Sequence, residues 1–454
     1  VVRVRMRQTT PGVMTPDPTV FRSGMFSSLR IRDFKLLWIS NLAASFAMQM
    51  QMVARGWLIY DMTGSPLDLT WVMLAFMLPS LVFSLAGGVI ADRMRKKSIM
   101  VTSQLLNTVA TVLLATIIYN GDVTFAHFIY FGLFNGTVLS FSMPARSAVI
   151  PEIVGQDSVV NAMALQSATF NLSRILGPVA AGALMAYVAG GNTSSTLGVG
   201  IVFYLIALLY IVSVIATGLL RYTGKPSRTE HAGMTEDVLE GFRYMRRERV
   251  ILGLLIMGFL PMTFGFTAMF LLPVFNADVI GGGPDDLSFL VAAMGVGALA
   301  GSLALARLGD IGSKGRILFL TSYLWAAFLV MFAISQTLWM AMLFGLFTGL
   351  FGSVMGSLNM SVVQLAIRPE IRGRVMAIMW MAHGLMPVGI IPISWLAEVA
   401  SIEIALLVSA CLLAATMALL GIVYPELKSI DKGHGAEDSV DETPVPDASI
   451  QEAR

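Results

Sequence analysis

Arg174 stands near the middle of an apolar run, Ala162 to Ala189, and a Gly177-Pro178 pair follows it three residues later, with Gly182 beyond. A guanidinium is always charged and presents five N–H donors, so it can grip an anion or tie helices together through carbonyls and amides. Both uses remain open for Arg174. A second set shares one helical face. At 100° per residue Asn41, Ser45, Gln49, Gln51 and Arg55 fall within an arc of about 160°, and Met48 and Met52 lie inside it. Amides interleaved with polarisable thioethers suit a face that lines a cavity and tolerates varied ligands, although methionine is also common filler. Arg55 lies close enough to one end of its run to pair with Asp61 or reach the surface. His383 is the other titratable group deep in an apolar run. Its ordinary pKa is near neutrality, so it can carry a proton or simply hold a hydrogen bond. No carboxylate falls mid-run: Asp61, Glu398 and Glu403 lie at one edge, and Asp92, Glu152, Asp310 and Glu370 at the other. No Ser/His/Asp or His/Glu constellation forms, and Cys411 is the one cysteine, so no catalytic residue and no metal ligand is assigned.

The elements that position these residues are membrane spans. Of the 454 residues 56% are hydrophobic and 13% charged, and mean hydropathy is +0.76, which fits a chain solvated mostly by lipid. Twelve runs reach the length of about 20 residues that a bilayer requires. They are 36–60, 69–91, 98–119, 125–143, 162–189, 197–220, 251–275, 287–308, 317–335, 338–367, 375–397 and 404–424. Backbone polar groups must be paired in lipid, so each run is a helix. All but Arg55 and Arg174 of the 30 Lys and Arg fall on alternate connections, with Arg146 read as following the fourth span. That bias places both termini in the cytoplasm of a multi-pass protein. Arg174 then lies ~20 Å along its helix, beyond easy reach of the surface, and at the bilayer centre it costs about 2.5–3.5 kcal/mol unless it faces the bundle interior. A net charge of +2 gives no signal for nucleic acid. Residues 1–35 hold no apolar core, so no cleavable signal peptide is expected. Val1 fits a GTG start codon in a bacterial gene or a truncated chain.

The chain also repeats itself. Asp92 and Asp310 close the second and eighth spans, and Pro151-Glu152 and Pro369-Glu370 follow the fourth and tenth, both at an offset of 218. Two six-helix halves in the same orientation follow, an arrangement that places a substrate site between halves near the midplane. The expected organisation is a cytoplasmic tail (1–35), a six-helix bundle (36–220), a cytoplasmic linker with a surface helix capped by Thr235 (221–250), a second six-helix bundle (251–424) and a disordered acidic tail (425–454). Gly345, Gly349, Gly352 and Gly356, and likewise Gly132 and Gly136, form small-residue stripes suited to close helix packing.

The stretch GGVIADRMRKK, Gly87 to Lys97, resembles the signature loop of the major facilitator superfamily. Gly88, Asp92, Arg93, Lys96 and Lys97 fit that pattern, and Arg95 stands where glycine is usual. A degenerate second copy, ARLGDIGSKGR, carries Asp310. GWLIYDMTGSPL (56–67), MPARSAVIPEIV (143–154), NAMAL (161–165), LSRILGPVAAG (172–182), EGFRYMRRE (240–248) and RPEIRGRVMA (368–377) are similar to the branch that contains enterobactin exporters and macrolide efflux proteins. The resemblance implies an all-α membrane fold of twelve helices in two pseudo-symmetric bundles and proton-motive-force-driven export of a small molecule. It implies that Asp92 engages the start of the eleventh helix near Gly373–Met376 when the cytoplasmic side shuts, with Gly88, Arg93, Lys96, Lys97 and Asp310 in the same gating set. Gly177, Pro178 and Gly182 resemble the helix-5 motif of antiporters, with Ser173 and Ala164 where its earlier glycines stand.

The expected function is therefore secondary active transport by alternating access. The substrate is a small amphipathic molecule, an anion among the options, and the export of a siderophore-like metabolite or drug leads. Uptake by symport and a non-transporting receptor or scaffold remain alternatives. No G-x-x-x-x-G-K-[ST] occurs for a nucleotide-driven pump. No cofactor is expected beyond a proton gradient. The expected partners are the bilayer and the substrate, with no nucleic acid, and the expected state is a monomer in a bacterial inner membrane.

Overall fold

The computed structural model describes residues 27–189, 196–224, 243–244, 248–308, 312–367, 375, 378–379 and 384–430, without the side chains of 84–89, 91–92, 147–148, 156–157, 160, 189 and 429. Among the described residues there is no strand. The principal helices are α1 (Arg32–Thr63), α2 (Pro66–Arg93), α3 (Lys96–Tyr119), α4 (Phe125–Val154), α5 (Gln156–Ala189) and α6 (Thr196–Gly218), then α7 (Arg249–Gly265), α8 (Pro284–Leu308), α9 (Lys314–Ala333), α10 (Leu338–Ala366), α11 (Met386–Val399) and α12 (Ile402–Val423). Each coincides with one of the twelve expected spans. Among the described residues nine are long and apolar enough to cross a bilayer, counting α7 with its continuation to Phe270. α1 and α5, at 32 and 34 residues, are longer still and carry the polar residues discussed below, and the described part of α11 is a 14-residue apolar helix.

Local chemistry sets the ends. α1 stops at Gly64, whose backbone is left-handed (φ 61°), and Ser65 then caps α2 by accepting from the Asp68 N–H, with Pro66 in the first turn where no amide hydrogen is needed. Ser401 caps α12 in the same way through the Ile404 N–H. The exposed aromatics Trp71, Tyr119, Tyr187, Trp339 and Trp395 all sit at the end of the bundle where α1 finishes, here called the far end. Such a ring marks a membrane–water boundary.

α1–α6 pack on one another, as do α7–α12, and the two halves meet along α5 against α8 and α2 against α11. Glycine makes the helices touch. A Cβ on Gly136 would stand 2.0 Å from the Phe76 carbonyl oxygen of α2, and one on Gly349 2.0 Å from the Met294 carbonyl oxygen of α8. The stripes therefore bring backbone against backbone, where packing and not hydrophobic transfer drives association in lipid.

The structure differs from the sequence reading at four places. α4 does not end at Met143 but runs through Pro144 and Pro151 to Val154, so Arg146 lies inside a helix and not in a connection. The seventh span is broken after Gly265 into short segments, Thr267–Phe270 and Leu272–Phe275, and a π turn, Asn276–Ile280, whose Asn276 amide donates to the Gly282 and Gly283 carbonyls. Irregular backbone at membrane depth is tolerated where it lines a cavity. Order begins before residue 35: Ser27–Arg30 forms a 3-10 turn, and the Ser28 hydroxyl donates to Asn161 Oδ1 at 2.7 Å. Order also continues past 425: Pro425–Ser429 forms a 3-10 turn with Leu427 buried and the Lys428 ammonium over the Phe319 ring. Finally, the expected linker helix and the remainder of the acidic tail, from 431, lie outside the described residues except for helical 243–244.

One prediction follows from the close approaches. Gly349→Ala lowers the unfolding temperature of the detergent-solubilised protein, reflecting about 1–3 kcal/mol of overpacking. Gly218→Ala, where nothing lies within 4 Å of the added Cβ, leaves it unchanged or slightly raised. Tryptophan fluorescence on heating reads both.

Candidate functional site

A cavity lies between the halves. Arg174 of α5 supplies one wall. Phe266 and Met269 come from the broken stretch after α7, Met294 from α8, Trp325 from α9, and Thr348 and Ser353 from α10. The break after Gly265 exposes Phe266 and Met269 to this space, and Gly265, Gly349 and Gly352 line it because their missing side chains leave room. Where a Cβ on Gly295 would stand, Ile175 Cγ1 is 3.1 Å away and the Arg174 carbonyl oxygen 3.4 Å, so Arg174 enters at a tight α5–α8 crossing.

The chemistry of this wall is lopsided. Arg174 is half-buried and, among the described residues, has neither a hydrogen-bond partner nor an ion pair. The Trp325 indole is 1% exposed and its Nε1 has no hydrogen-bond partner among them. The other named lining side chains are apolar or hydroxylic. The Thr348 hydroxyl is already committed to the Phe344 carbonyl. The cavity therefore presents donors and an apolar floor, and no carboxylate among its lining residues.

The other buried arginines are satisfied differently. Arg146 of α4 donates through Nη1 to Asn41 Oδ1 (2.6 Å) and through Nη2 to Gln104 Oε1 (2.7 Å), with the Gln104 amide turned so that its oxygen faces the guanidinium. Asn41 in turn donates to Gln166 Oε1 of α5 (3.0 Å), and Gln104 bonds Ser213 and Thr217 of α6. Five helices are thus tied to one cation by neutral amides and hydroxyls. Arg55 holds its guanidinium over the Phe76 ring, 5.5 Å from the centroid, so it is turned into its own half and not out toward the surface.

The remaining expected site residues scatter. The helix-1 face does not line the Arg174 cavity. Asn41 belongs to the Arg146 network, Ser45 is half-buried, Gln49 packs against Gly177 (2.8 Å to a built Cβ), and Gln51 is buried with an Nε2 unpartnered among the described residues. A continuous helix carries Pro178 in its interior, and Gly182 touches α8, with Ser288 Oγ 1.9 Å from a built Cβ. Lys96 pairs with Glu152, which also accepts from the Tyr222 hydroxyl, and Lys97 donates to the Leu220 carbonyl (2.6 Å). Both lysines thereby fasten elements of the first half to each other. Arg93 is exposed. Gly88 and Asp92 lie in α2 without described side chains, and His383, Asp310 and the Gly373–Met376 stretch expected to meet Asp92 are, but for Val375, outside the described residues. The sequence reading missed Arg146, Gln104 and Trp325. A helix carried on through Pro144 would have revealed the first; nothing in the sequence marked the other two.

Residues 23–451 match the family model of transmembrane secretion effectors. The chain belongs to that family of the major facilitator superfamily. It is similar to the multidrug efflux pump Tap of Mycolicibacterium fortuitum, 26% identical over 417 residues, with 87% of this chain and 96% of that one covered. Macrolide efflux protein A of Streptococcus pyogenes is 24% identical over 411 residues, covering 88% of this chain and 96% of its own. The enterobactin exporter EntS of Shigella boydii is 25% identical over 238 residues, 52% of this chain and 54% of its own. The solved nucleoside transporter NupG shares the fold, with a TM-score of 0.66 at 14% identity over 86% of this chain and 99% of that one. The protein is a multi-pass membrane transporter of the efflux branch and not an enzyme.

In this major facilitator protein the halves are latched at the far end. Tyr60 Oη donates to both oxygens of Asp278 (2.7 Å each). Ser65 Oγ (2.7 Å) and the Leu67 N–H (3.3 Å) donate to Glu398 Oε2, and the Thr70 and Ser394 hydroxyls meet at 2.6 Å. Four residues of the α1–α2 hairpin therefore hold three of the second half. Two predictions follow. Asn41→Leu removes an acceptor from the buried Arg146 and destabilises the protein by about 1.5–3 kcal/mol, read by thermal unfolding; Arg146→Met added to it restores part of the loss. Tyr60→Phe with Glu398→Gln weakens the latch by about 1–2 kcal/mol. In a background of Cys411→Ser and Met269→Cys, a membrane-impermeant maleimide then labels the single introduced thiol from the far side at least about fivefold faster.

Proposed function

We propose that this transporter exports a small amphipathic molecule across a bacterial inner membrane by alternating access, driven by the proton motive force, with both termini in the cytoplasm. One observation carries the reading: a guanidinium unpaired among the described residues, Arg174, faces a cavity lined from both halves by apolar and hydroxylic side chains. A cation left at membrane depth without a structural partner is strongly unfavourable unless a ligand or water meets it. A site between two related halves is where rocking exposes a ligand first to one side and then to the other. The direction is supported by the efflux and export proteins among its relatives. The orientation is supported by the basic connections, which all fall at the end opposite the latch. A proton gradient as the energy source is what the resemblance to the exporter branch implies, and no resident cofactor is invoked.

The test compares cytosol and medium of the native host by mass spectrometry, with and without the gene, and with wild type or Arg174→Gln restored. One metabolite should accumulate inside and disappear outside on deletion. Wild type should return it to the medium, an uncoupler should stop that return, and Arg174→Gln should export it at least about tenfold more slowly. Reciprocal behaviour, with the metabolite lost from the cytosol on deletion, would show uptake and overturn the reading.

A further inference from the structure

We infer that Arg174 and the Trp325 indole N–H form a two-donor clamp for an oxyanion, and that the substrate is an organic anion whose apolar body lies on Phe266, Met269 and Met294. This rests on the reading of the cavity as the transport site and names the chemical class it takes.

The indole is the decisive group. A tryptophan N–H can only donate, and a buried one normally finds an acceptor. Trp325 is 1% exposed and its Nε1 has none among the described residues. An orphaned buried donor is costly, and phenylalanine would fill much of the same space without that cost. The fold nevertheless makes room for this particular ring. A Cβ on Gly265 would stand 2.2 Å from Trp325 Cζ2, and one on Gly352 would stand 2.9 Å from Cε2, the carbon bonded to Nε1. The ring is also held edge-on by Phe266, with centroids 5.6 Å apart and planes at 79°. The six-membered edge of the indole therefore lies beside Gly265 and Gly352, and Trp325 and both glycines line the cavity that Arg174 enters.

The ligand class follows from what satisfies both donors. A cation leaves both unmet and is repelled by Arg174. A neutral acceptor answers the indole but leaves the guanidinium uncompensated. An oxyanion accepts from both, with charge-assisted bonds to the guanidinium. The rest of the wall offers Phe266, Met269 and Met294, a flat ring and two adaptable thioethers, which suits an aromatic or alicyclic body of variable outline. The clamp spans the two halves, since Arg174 is on α5 and Trp325 on α9, so a bound anion contacts both bodies at once.

The test uses two probes of the same shape, 1-naphthoate and 1-naphthamide, binding to the full chain in lipid nanodiscs by calorimetry. Wild type should bind naphthoate at least about tenfold more tightly than naphthamide. Trp325→Phe, which keeps a ring and drops the N–H, should weaken naphthoate about five- to tenfold and leave naphthamide within about twofold. Arg174→Gln should abolish the preference, and Arg174→Lys, which keeps the charge, should retain part of it. Thermal unfolding of each variant identifies any that fails to fold. Equal affinity of wild type for the two probes, an unaltered preference in Trp325→Phe, or no naphthoate binding at millimolar concentration would overturn the clamp. The two readings fail separately. Export that depends on the gene, with no anion preference, sinks the clamp alone; a preference for naphthoate without any metabolite moved in the host sinks the transport reading alone.

Discussion

A charged guanidinium inside a bilayer must be met by lone pairs, a ring face or water, and that requirement organises this protein. Three arginines lie deep in the helices and each is answered in its own way. Arg146 is wrapped by amide oxygens from α1 and α3, which are fastened in turn to α5 and α6. Arg55 lies over an aromatic face. Arg174 has no protein partner among the described residues and opens onto a cavity. The first two answers are complete within one half, so they rigidify it. The third is incomplete within the fold, and an incomplete buried cation is the feature a ligand can finish.

The cavity exists because the second half gives up side-chain volume and helical regularity in one region. Gly265 ends α7, and the chain continues in short turns that bring Phe266 and Met269 to the wall. Gly349 lets α10 come down on α8 at the Met294 carbonyl, and Gly352, one turn on, admits the indole of Trp325. Close packing and open space are thus produced by the same residue type within one helix. The first half has the opposite character there: α5 is unbroken through Pro178, and its Gly177 and Gly182 are used to approach α1 and α8.

How much of this was legible in the sequence depends on the range of the cause. Spans are set by local hydropathy, and the twelve runs fall on twelve helices. The glycine stripes were legible because a small residue every turn has one use in lipid. Arg174 stood out because nothing else in its run is charged. Arg146 was misplaced because Pro144 reads as a stop, by the loss of an N–H and the clash with the preceding turn; α4 passes through it, and only the buried partners Asn41 and Gln104, on two other helices, reveal why the charge can stay inside. The polar arc of α1 is a pattern that does not line the Arg174 cavity, since periodicity gives a face and not the element that covers it. Trp325 could not have been found at all. An indole in an apolar run is ordinary, and its missing partner is a fact about four helices at once.

The latch shows the same constraint from the side of motion. A contact that must open in every cycle cannot be a buried ion pair, because separating one leaves desolvated charge behind, at roughly 3–5 kcal/mol. Asp278 and Glu398 accept from hydroxyls and an amide in exposed surroundings, where water replaces the lost partner at once and each bond contributes on the order of 1 kcal/mol. Three such contacts suffice to hold one end shut without trapping the molecule there. Away from the rim the α5–α8 seam includes small surfaces in contact, such as Gly182 against Ser288. Water-replaceable polar bonds at the rim are what two halves need if the barrier between their orientations is to stay low. A ligand that bridges Arg174 and Trp325 touches both halves at once, since one residue is on α5 and the other on α9.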